Sequence, residues 1–376
     1  MKHDYINFVN LKQNDDGGIG DVFKDSNSNG PYDFLFPKLK KYYFYGELPE
    51  KYILNISTSH FNMESDKSIV ETIKSNPRIL EDLKSGNAKI LINRSGEFDT
   101  FKNGKLTGEE YDSLFKLDID KSNILYLGLN SIMEEAMCNS DIKSRYHNFT
   151  MLNLYSIIKD KEDLYREFYE KQKKSLREYY YLCYNNTPNS HRRIIVDFLL
   201  NKKVKGLLSS TEDRIFLDDS MAPDDVSWTY NNRNLYYYAN QKHFFDSYFS
   251  IITESHYSDT IGSLCMTFSE KTWKVITNFH PFCLVGAKNS ISKLREYGFE
   301  TFSELFDEQY DRIDDVNRAV EICKQIDRTF LLTRKELTDI CYSIEEKLIH
   351  NFHHFFRLCE IEIKSLEKYL LNFCNG

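Results

Sequence analysis

From Lys51 onward, short apolar runs with strand character alternate with segments whose apolar residues recur every three or four positions. "KYILNIST", "AKILINRS" and "NILYLGLN" read as strands. Between the first two, "SDKSIVETIKSNPRILEDLKSG" reads as helix, broken at Pro77 and Gly86. "LYREFYEKQKKSLREYY" is a charged, amphipathic helix that leads out of this series. A second series opens with the strand "YYYLCYN" and the helix "SHRRIIVDFLLNKKVKG", capped by Ser190 and ended by Gly206. An irregular aromatic stretch follows, then the strand "SYFSIITES". Next comes "FSEKTWKVITNFHPFCLVG": a short helix opening with Glu270 and Lys271, a stop at His280-Pro281, and an apolar strand ending on Gly286. "SISKLREYGF" is a helix with Gly298 as its stop. The rest reads as helix. Thr333 and Glu336 form a capping box, and Leu337, Ile340, Ile344, Leu348, Phe352 and Phe356 keep helical spacing behind it.

Strands and helices in this alternation predict an α/β protein with parallel sheets. A length of 376 residues suggests two domains of roughly 150–200 residues each. The expected layout is two Rossmann-like domains facing a cleft, residues 1–170 and 171–332, closed by long C-terminal helices over 333–376. The first forty residues read as irregular. "DDGGIGD" (Asp15 to Asp21) has the glycines of a phosphate loop, but no buried strand precedes it and no helix follows, so it reads as a turn-rich segment.

Composition narrows the class. Hydrophobic residues make up 41% and aromatics 15%, a folded rather than a disordered composition. The net charge of −8, without a long basic run, argues against a dedicated nucleic-acid binder. None of the eight cysteines forms a CxxC pair and most have apolar neighbours, so they read as buried thiols in a reducing compartment. "MKHDYINFVNLKQNDD" lacks the apolar core of a signal peptide, and no stretch approaches about 18 continuous apolar residues. The expectation is a soluble, cytoplasmic protein with no membrane span.

Ligands of open α/β sheets bind where strand ends lead into helix starts. Two such places carry chemistry. After "YYYLCYN", the loop with Asn185 and Asn186 leads to His191, Arg192 and Arg193 in the first turn of a helix. Cations there oppose the helix dipole, and become useful if an anion sits at the helix end. The second place repeats the logic. Ser269 or Thr267 can cap the helix, Glu270 lies in its first turn, and Lys271 and Lys274 follow. A carboxylate there can accept two hydrogen bonds from a ribose diol, while Lys271 can reach a phosphate. Glu254 ends the strand of "SIITES" in the same half of the sheet. Each helix start alone is also an ordinary solvated one; the combination suits a nucleotide diphosphate with its ribose.

In that order of elements, residues 178–305 resemble the donor-binding domain of GT-B glycosyltransferases, and within them the α1,3-fucosyltransferase type. The elements that carry the resemblance are Asn185 to Arg193, "YFSIITES", the pair Glu270-Lys271, and "HPFCLVG". The run "SEKTWK…HPF…VG…LREYGFETF" also resembles uncharacterised glycosyltransferase-like proteins of phages and other viruses. The resemblance implies that Glu270 holds the ribose and that Lys271 with Arg192 or Arg193 holds the diphosphate. Fifteen residues separate Glu254 from Glu270, more than in the fucosyltransferase pattern, which leaves the donor sugar open.

The function so implied is transfer of a sugar from a nucleotide-sugar donor to a hydroxyl acceptor, inverting and without a divalent metal or other cofactor. Acceptors can be glycans or hydroxylated bases of viral DNA. The N-terminal domain would supply a general base, with Glu97, Asp99, His60 and Glu64 at strand ends as candidates. Glu97 ranks first, because its strand is the clearest and a glycine precedes it. "LDID" (Asp118, Asp120) has the form of a metal-binding acidic pair, though such pairs arise often by chance. "NLYYYANQKHFFDSYF" and "KYYFYGE" read as amphipathic core, and His353 and His354 as structural. Two other readings stay open: a non-catalytic nucleotide or glycan binder on the same scaffold, and a structural interaction protein.

Overall fold

The computed structural model describes residues 5–10, 39–43, 47–58, 70–94, 101–102, 105–106, 116–128, 142–185, 189–210, 212–213, 215, 217, 240–257 and 266–376. The chain divides into two compact units. Unit 1 holds the described residues of 1–156 together with 360–376, and unit 2 holds those of 157–261 and 266–359. Both are α/β, each built on a parallel, Rossmann-like sheet. The division between units falls near residue 156 rather than 170, and residues 333–359 belong to unit 2.

In unit 1, β1 (Ile6–Asn10), β2 (Leu39–Tyr43), β3 (Tyr52–Thr58) and β4 (Ala88–Arg94) precede a two-residue-arm hairpin, β5 (Phe101–Lys102) with β6 (Lys105–Leu106). β7 (Ile124–Gly128) and β8 (Lys143–Tyr146) complete the sheet, whose order is β2-β1-β3-β4-β7-β8. The strands read from "KYILNIST", "AKILINRS" and "NILYLGLN" are β3, β4 and β7, paired in register from Tyr52 opposite Ala88 to Thr58 opposite Arg94. Such near-continuous apolar runs fit strands covered on both faces. The N-terminus departs from expectation: Ile6–Asn10, read as irregular, is an interior strand with Ile6, Phe8 and Val9 fully buried.

Helix α1 (Pro77–Ser85) starts where the sequence breaks. Pro77 occupies the first helical position, where its missing N–H costs nothing, and Asn76 Oδ1 accepts from Ile79 N at 3.3 Å. Gly86, at φ 80°, takes the left-handed turn that ends it. α1 buries Ile79 and Leu83 in the core formed by Leu54, Ile90, Ile92 and Tyr126. α2 (Phe149–Ile158) follows β8.

Unit 2 begins with α3 (Glu162–Gln172), which stops short of the expected helix so that Tyr179 and Tyr180 join β9 (Tyr179–Asn185). α4 (Ser190–Lys202) leads to β10 (Leu207–Ser210), and α5 (Gln241–Asp246) runs straight into β11 (Ser247–Thr253). α6 (Glu270–Thr277), β12 (Phe282–Val285) and α7 (Ser290–Glu296) follow. All strand pairs are parallel, in the order β10-β9-β11-β12. Gly206 enters β10 under the Tyr181 ring; a Cβ there would sit 2.2 Å from the ring carbons, so only glycine allows the approach. His280 is buried between strands, where Nε2–H donates to Ser247 O at 2.8 Å and Nδ1 accepts from Ser250 Oγ at 2.7 Å.

The helices α8 (Asp315–Phe330), α9 (Arg334–Ser343) and α10 (Glu345–Asn375) close the chain. The capping box at Thr333 and Glu336 is formed, and Ile344 separates two helices that the apolar spacing had joined. α10 belongs to unit 2 through Cys359 and to unit 1 from Glu360 onward. In unit 1, Leu366, Leu370, Phe373 and Cys374 are buried, Arg145 donates to Ser365 O and Oγ, and Lys51 donates to Asn375 O at 3.3 Å. Among the described residues, no helix is long and apolar enough to cross a membrane.

Candidate functional site

In unit 2 the chain leaves β9 toward β10 on one side and returns as β11 on the other. The carboxyl ends of β9 and β11 therefore flank the switch point, where open α/β sheets form their ligand crevice. Asn185 ends one strand and Thr253 the other, and the Thr253 hydroxyl donates to Asn185 Oδ1 across the gap. The helices that follow, α4 and α6, turn their N-terminal residues to the same edge of the sheet.

At α6, Ser269 is the cap: its Oγ accepts from Lys271 N at 3.3 Å. Glu254, directly after β11, is buried against this helix end. Its Oε1 accepts from Ser269 N at 3.1 Å and from the Thr272 hydroxyl. Glu270 accepts from its own backbone N–H. Lys271 Nζ donates to Ser269 Oγ at 3.3 Å and lies 3.4 Å from Glu270 Oε1. The amides of Ser269, Glu270 and Lys271 are thus satisfied within the protein. An anion beside this helix would rely mainly on side-chain cations rather than on a cradle of free N–H groups.

The two acids are driven apart. Burial pushes the Glu254 carboxyl above its usual value, and outweighs the pull of Lys271 and of the Ser269 and Thr272 hydrogen bonds. Burial acts upward on Glu270 too, yet Lys271 and Lys274 together hold it below the usual carboxylate value. One carboxyl raised and one lowered, side by side, is the arrangement in which acid and base roles separate. Glu254 Oε2, Glu270 Oε2 and Thr267 Oγ1 are buried without a hydrogen-bond partner. Each such atom costs about 1–3 kcal/mol unless something binds it.

Lys274, one turn further along α6, is pushed down by burial to about 8, against the pull of Glu270. Below that pH the lysine is charged in folded and unfolded chain alike, and its burial penalty is constant. Between about 8 and the ordinary lysine value near 10.4 the unfolded chain still holds the proton and the folded one does not, so stability rises with pH. The unfolding free energy of wild type minus that of Lys274→Met is therefore expected to climb from pH 7.5 to pH 10 in urea titrations. A flat difference would place the lysine head in solvent.

On the α4 side, His191 is buried and burial takes it down to about 4, so it is neutral at pH 7. A carbonyl only accepts, so the 2.8 Å contact fixes Nε2–H as the donor to Glu254 O. The imidazole stacks on Tyr257 at 4.9 Å, and the Arg318 guanidinium lies 4.4 Å from the same ring while donating to Tyr257 O and Ile313 O. This stack anchors the main chain that presents Glu254. Arg192 is buried, with Nη2 donating to Ser255 Oγ at 3.4 Å, next to Glu254 in sequence. Arg193 is engaged elsewhere: Nη1 donates to both oxygens of Asp213 at 2.9 and 3.0 Å, and Nη2 to Asp197.

The structure thus brings Arg192, Glu254, Ser269, Glu270, Lys271 and Lys274 to one edge of the unit 2 sheet and ties Arg193 to acids. Asn186, His60, Glu64, Glu97, Asp99 and the Asp15–Asp21 loop lie outside the described residues. Asp120 caps a short turn, accepting from Ser122 N at 2.8 Å, while Asp118 is fully exposed beside Lys84. Among the described residues, no three His, Cys, Asp or Glu side chains are set to hold a metal ion. The start of α7 is closed by Asp311, which accepts from Ile291 N at 2.9 Å and Ser292 N at 3.0 Å. His354 Nε2 donates to Tyr297 O at 2.6 Å and His353 meets Glu162 at 3.2 Å, both structural contacts.

Sequence reasoning passed over Thr272, Tyr257 and Arg318. Thr272 had a signal: three residues after the cap, it shares the face of α6 that Ser269 opens. Tyr257 and Arg318, 61 residues apart, had none.

No family model matches the chain, and no curated protein matches it. Among solved structures, it is similar to the N-terminal domain of trehalose-6-phosphate phosphatase from Candida albicans, at 12% identity and a TM-score of 0.39, over 98% of this chain and 97% of that one. A likeness that distant bears on neither activity nor ligand.

Proposed function

We propose that the chain is a glycosyltransferase of the GT-B kind, which moves a sugar from a nucleotide-sugar donor to a hydroxyl acceptor, with unit 2 as the donor-binding domain. The observation that carries this reading is the switch-point group of unit 2: two buried carboxyls, each with an unpartnered oxygen, beside Lys271, Lys274 and Arg192. An ionised Glu270 wants hydroxyl donors, which a ribose supplies. The cations want phosphate oxygens, which the diphosphate supplies. The order of elements shared with α1,3-fucosyltransferases supports the same assignment.

In the reaction, a base takes the proton of the acceptor hydroxyl as its oxygen bonds to the anomeric carbon. The bond from that carbon to the diphosphate breaks, and its electron pair leaves with the nucleotide. Lys271, Lys274 and Arg192 stabilise the charge that develops there, so no divalent metal is needed. Glu97, Asp99, His60 and Glu64 remain the candidates for the base, Glu97 first, and a single displacement inverts the anomeric carbon. Glycans or hydroxylated DNA bases are the acceptors that this chemistry admits.

The test is a thermal-shift titration of the whole chain with GDP, UDP, CDP, ADP and dTDP. A ligand at 100 times its Kd adds about 2.7 kcal/mol, a shift of several degrees in domains of this size. One nucleotide should stand out and then support sugar transfer or donor hydrolysis from its sugar conjugates. A clear shift without turnover points to a non-catalytic binder. Silence from all five at millimolar concentration removes the donor site and leaves an interaction protein.

A further inference from the structure

Glu254 is secured on one side only. Oε1 takes two hydrogen bonds, from Ser269 N and the Thr272 hydroxyl, while Oε2 is buried with no partner. Glu270, in the first turn of α6, shows the same asymmetry. Its Oε1 faces Lys271 Nζ at 3.4 Å and its Oε2 is buried and unpartnered. We propose that Glu254 Oε2 and Glu270 Oε2 grip one vicinal diol between them, so that the site accepts a ribonucleotide and rejects its deoxyribose counterpart. This rests on the donor-site reading above and adds Glu254 as a second reader of the sugar.

The chemistry of the two oxygens selects the ligand. In Glu254 the two bonds to Oε1 mark it as the acceptor, which leaves Oε2 to carry the proton of the acid. Burial and the neighbouring Glu270 charge favour that neutral form, against the pull of Lys271. Oε2–H is then a donor. Glu270 remains ionised beside Lys271 and Lys274, so its Oε2 is an acceptor only. A donor and an acceptor together fit hydroxyls, each of which can give one hydrogen bond and take another. Phosphate oxygens only accept, and the Glu270 charge repels them. A bare C–H satisfies neither. Glu254 is also held in position from behind, because His191 binds its carbonyl and stacks on Tyr257.

The experiment measures Kd by calorimetry on the full chain for GDP, UDP, CDP and ADP, and for the 2′-deoxy and 3′-deoxy forms of whichever binds. Loss of one hydroxyl leaves a buried group unpaired, so a deoxy form should bind about tenfold more weakly or worse. Glu254→Gln keeps an acceptor at one atom and a donor at the other, and should keep this ratio. Glu254→Ala should shrink it at least threefold, by rough expectation from the loss of one of two readers. The comparison on wild type needs no variant, so a misfolded alanine protein does not spare the proposal. Equal binding of ribo and deoxy forms overturns it while the donor site stands. So does an unchanged ratio in folded Glu254→Ala, or a lost ratio in folded Glu254→Gln. If dTDP alone binds, this inference fails while the donor site stands; if none of the five diphosphates binds, the donor reading fails and this inference with it.

Discussion

Trp273→Ala is expected to lower the stability of unit 2 by about 3–5 kcal/mol, the usual cost of emptying a large aromatic site in a core. The indole is fully buried on α6, with ring centres of Phe299, Phe268 and Phe355 at 5.6, 5.8 and 6.2 Å, and Nε1 donates to Phe268 O at 3.3 Å. No smaller residue fills that space. Phe268 O loses its partner as well. The helix that loosens is the one that carries Glu270, Lys271 and Lys274, so nucleotide-induced stabilisation should fall together with stability. Trp273→Phe keeps most of the packing and should lose less than half as much. Urea denaturation followed by circular dichroism measures both, since the alanine variant removes a fluorophore. A loss below about 1 kcal/mol would mean that α6 is held by its neighbours in the chain and not by this contact.

Truncation after Cys359 is expected to unfold unit 1 and to spare unit 2. The removed residues bring Leu366, Leu370 and Phe373 into unit 1, each fully or nearly fully buried. At about 1.5–3 kcal/mol for each such side chain, their loss amounts to roughly 5–9 kcal/mol. That matches the whole stability of an ordinary domain, about 5–15 kcal/mol. Lys89 and Lys143, which lie 5.1 and 5.5 Å from the Phe373 ring, would lose their aromatic partner, and Arg145 its bonds to Ser365. Hydrogen exchange read by peptide tells the units apart. Peptides of β3, β4 and β7 should lose protection, while those of β9, β11 and β12 keep it. Native protection throughout would show that the unit 1 sheet stands without its C-terminal cover.

Legibility in the sequence followed local cause. Strands such as Tyr52–Thr58, Ala88–Arg94 and Phe282–Val285 announce themselves because burial on both faces favours mostly apolar runs. Pro77, Gly86 and the Thr333–Glu336 box marked helix ends because each acts within a few residues. Ile6–Asn10 escaped because it is short, with three apolar residues among five, and its burial comes from strands far along the chain. Leu207–Ser210 is too short to show a period. At the candidate site, the helix-start chemistry of Glu270 and Lys271 was legible as local spacing. The unsatisfied oxygens were not, and neither was the engagement of Arg193 by Asp197 and Asp213. These depend on which side chains the sheet brings together, and residue spacing along the chain does not encode that.

Residues 360–376 complete unit 1, yet all of unit 2 lies between them and residue 156. A ribosome adds about 5–20 residues per second, so the intervening 203 positions take roughly ten to forty seconds to translate. Throughout that interval the emerging N-terminal sheet lacks the side chains that cover it. Its apolar strands are then a natural client for chaperones, while unit 2 needs nothing made after Cys359. In this protein the domain made first is the one finished last.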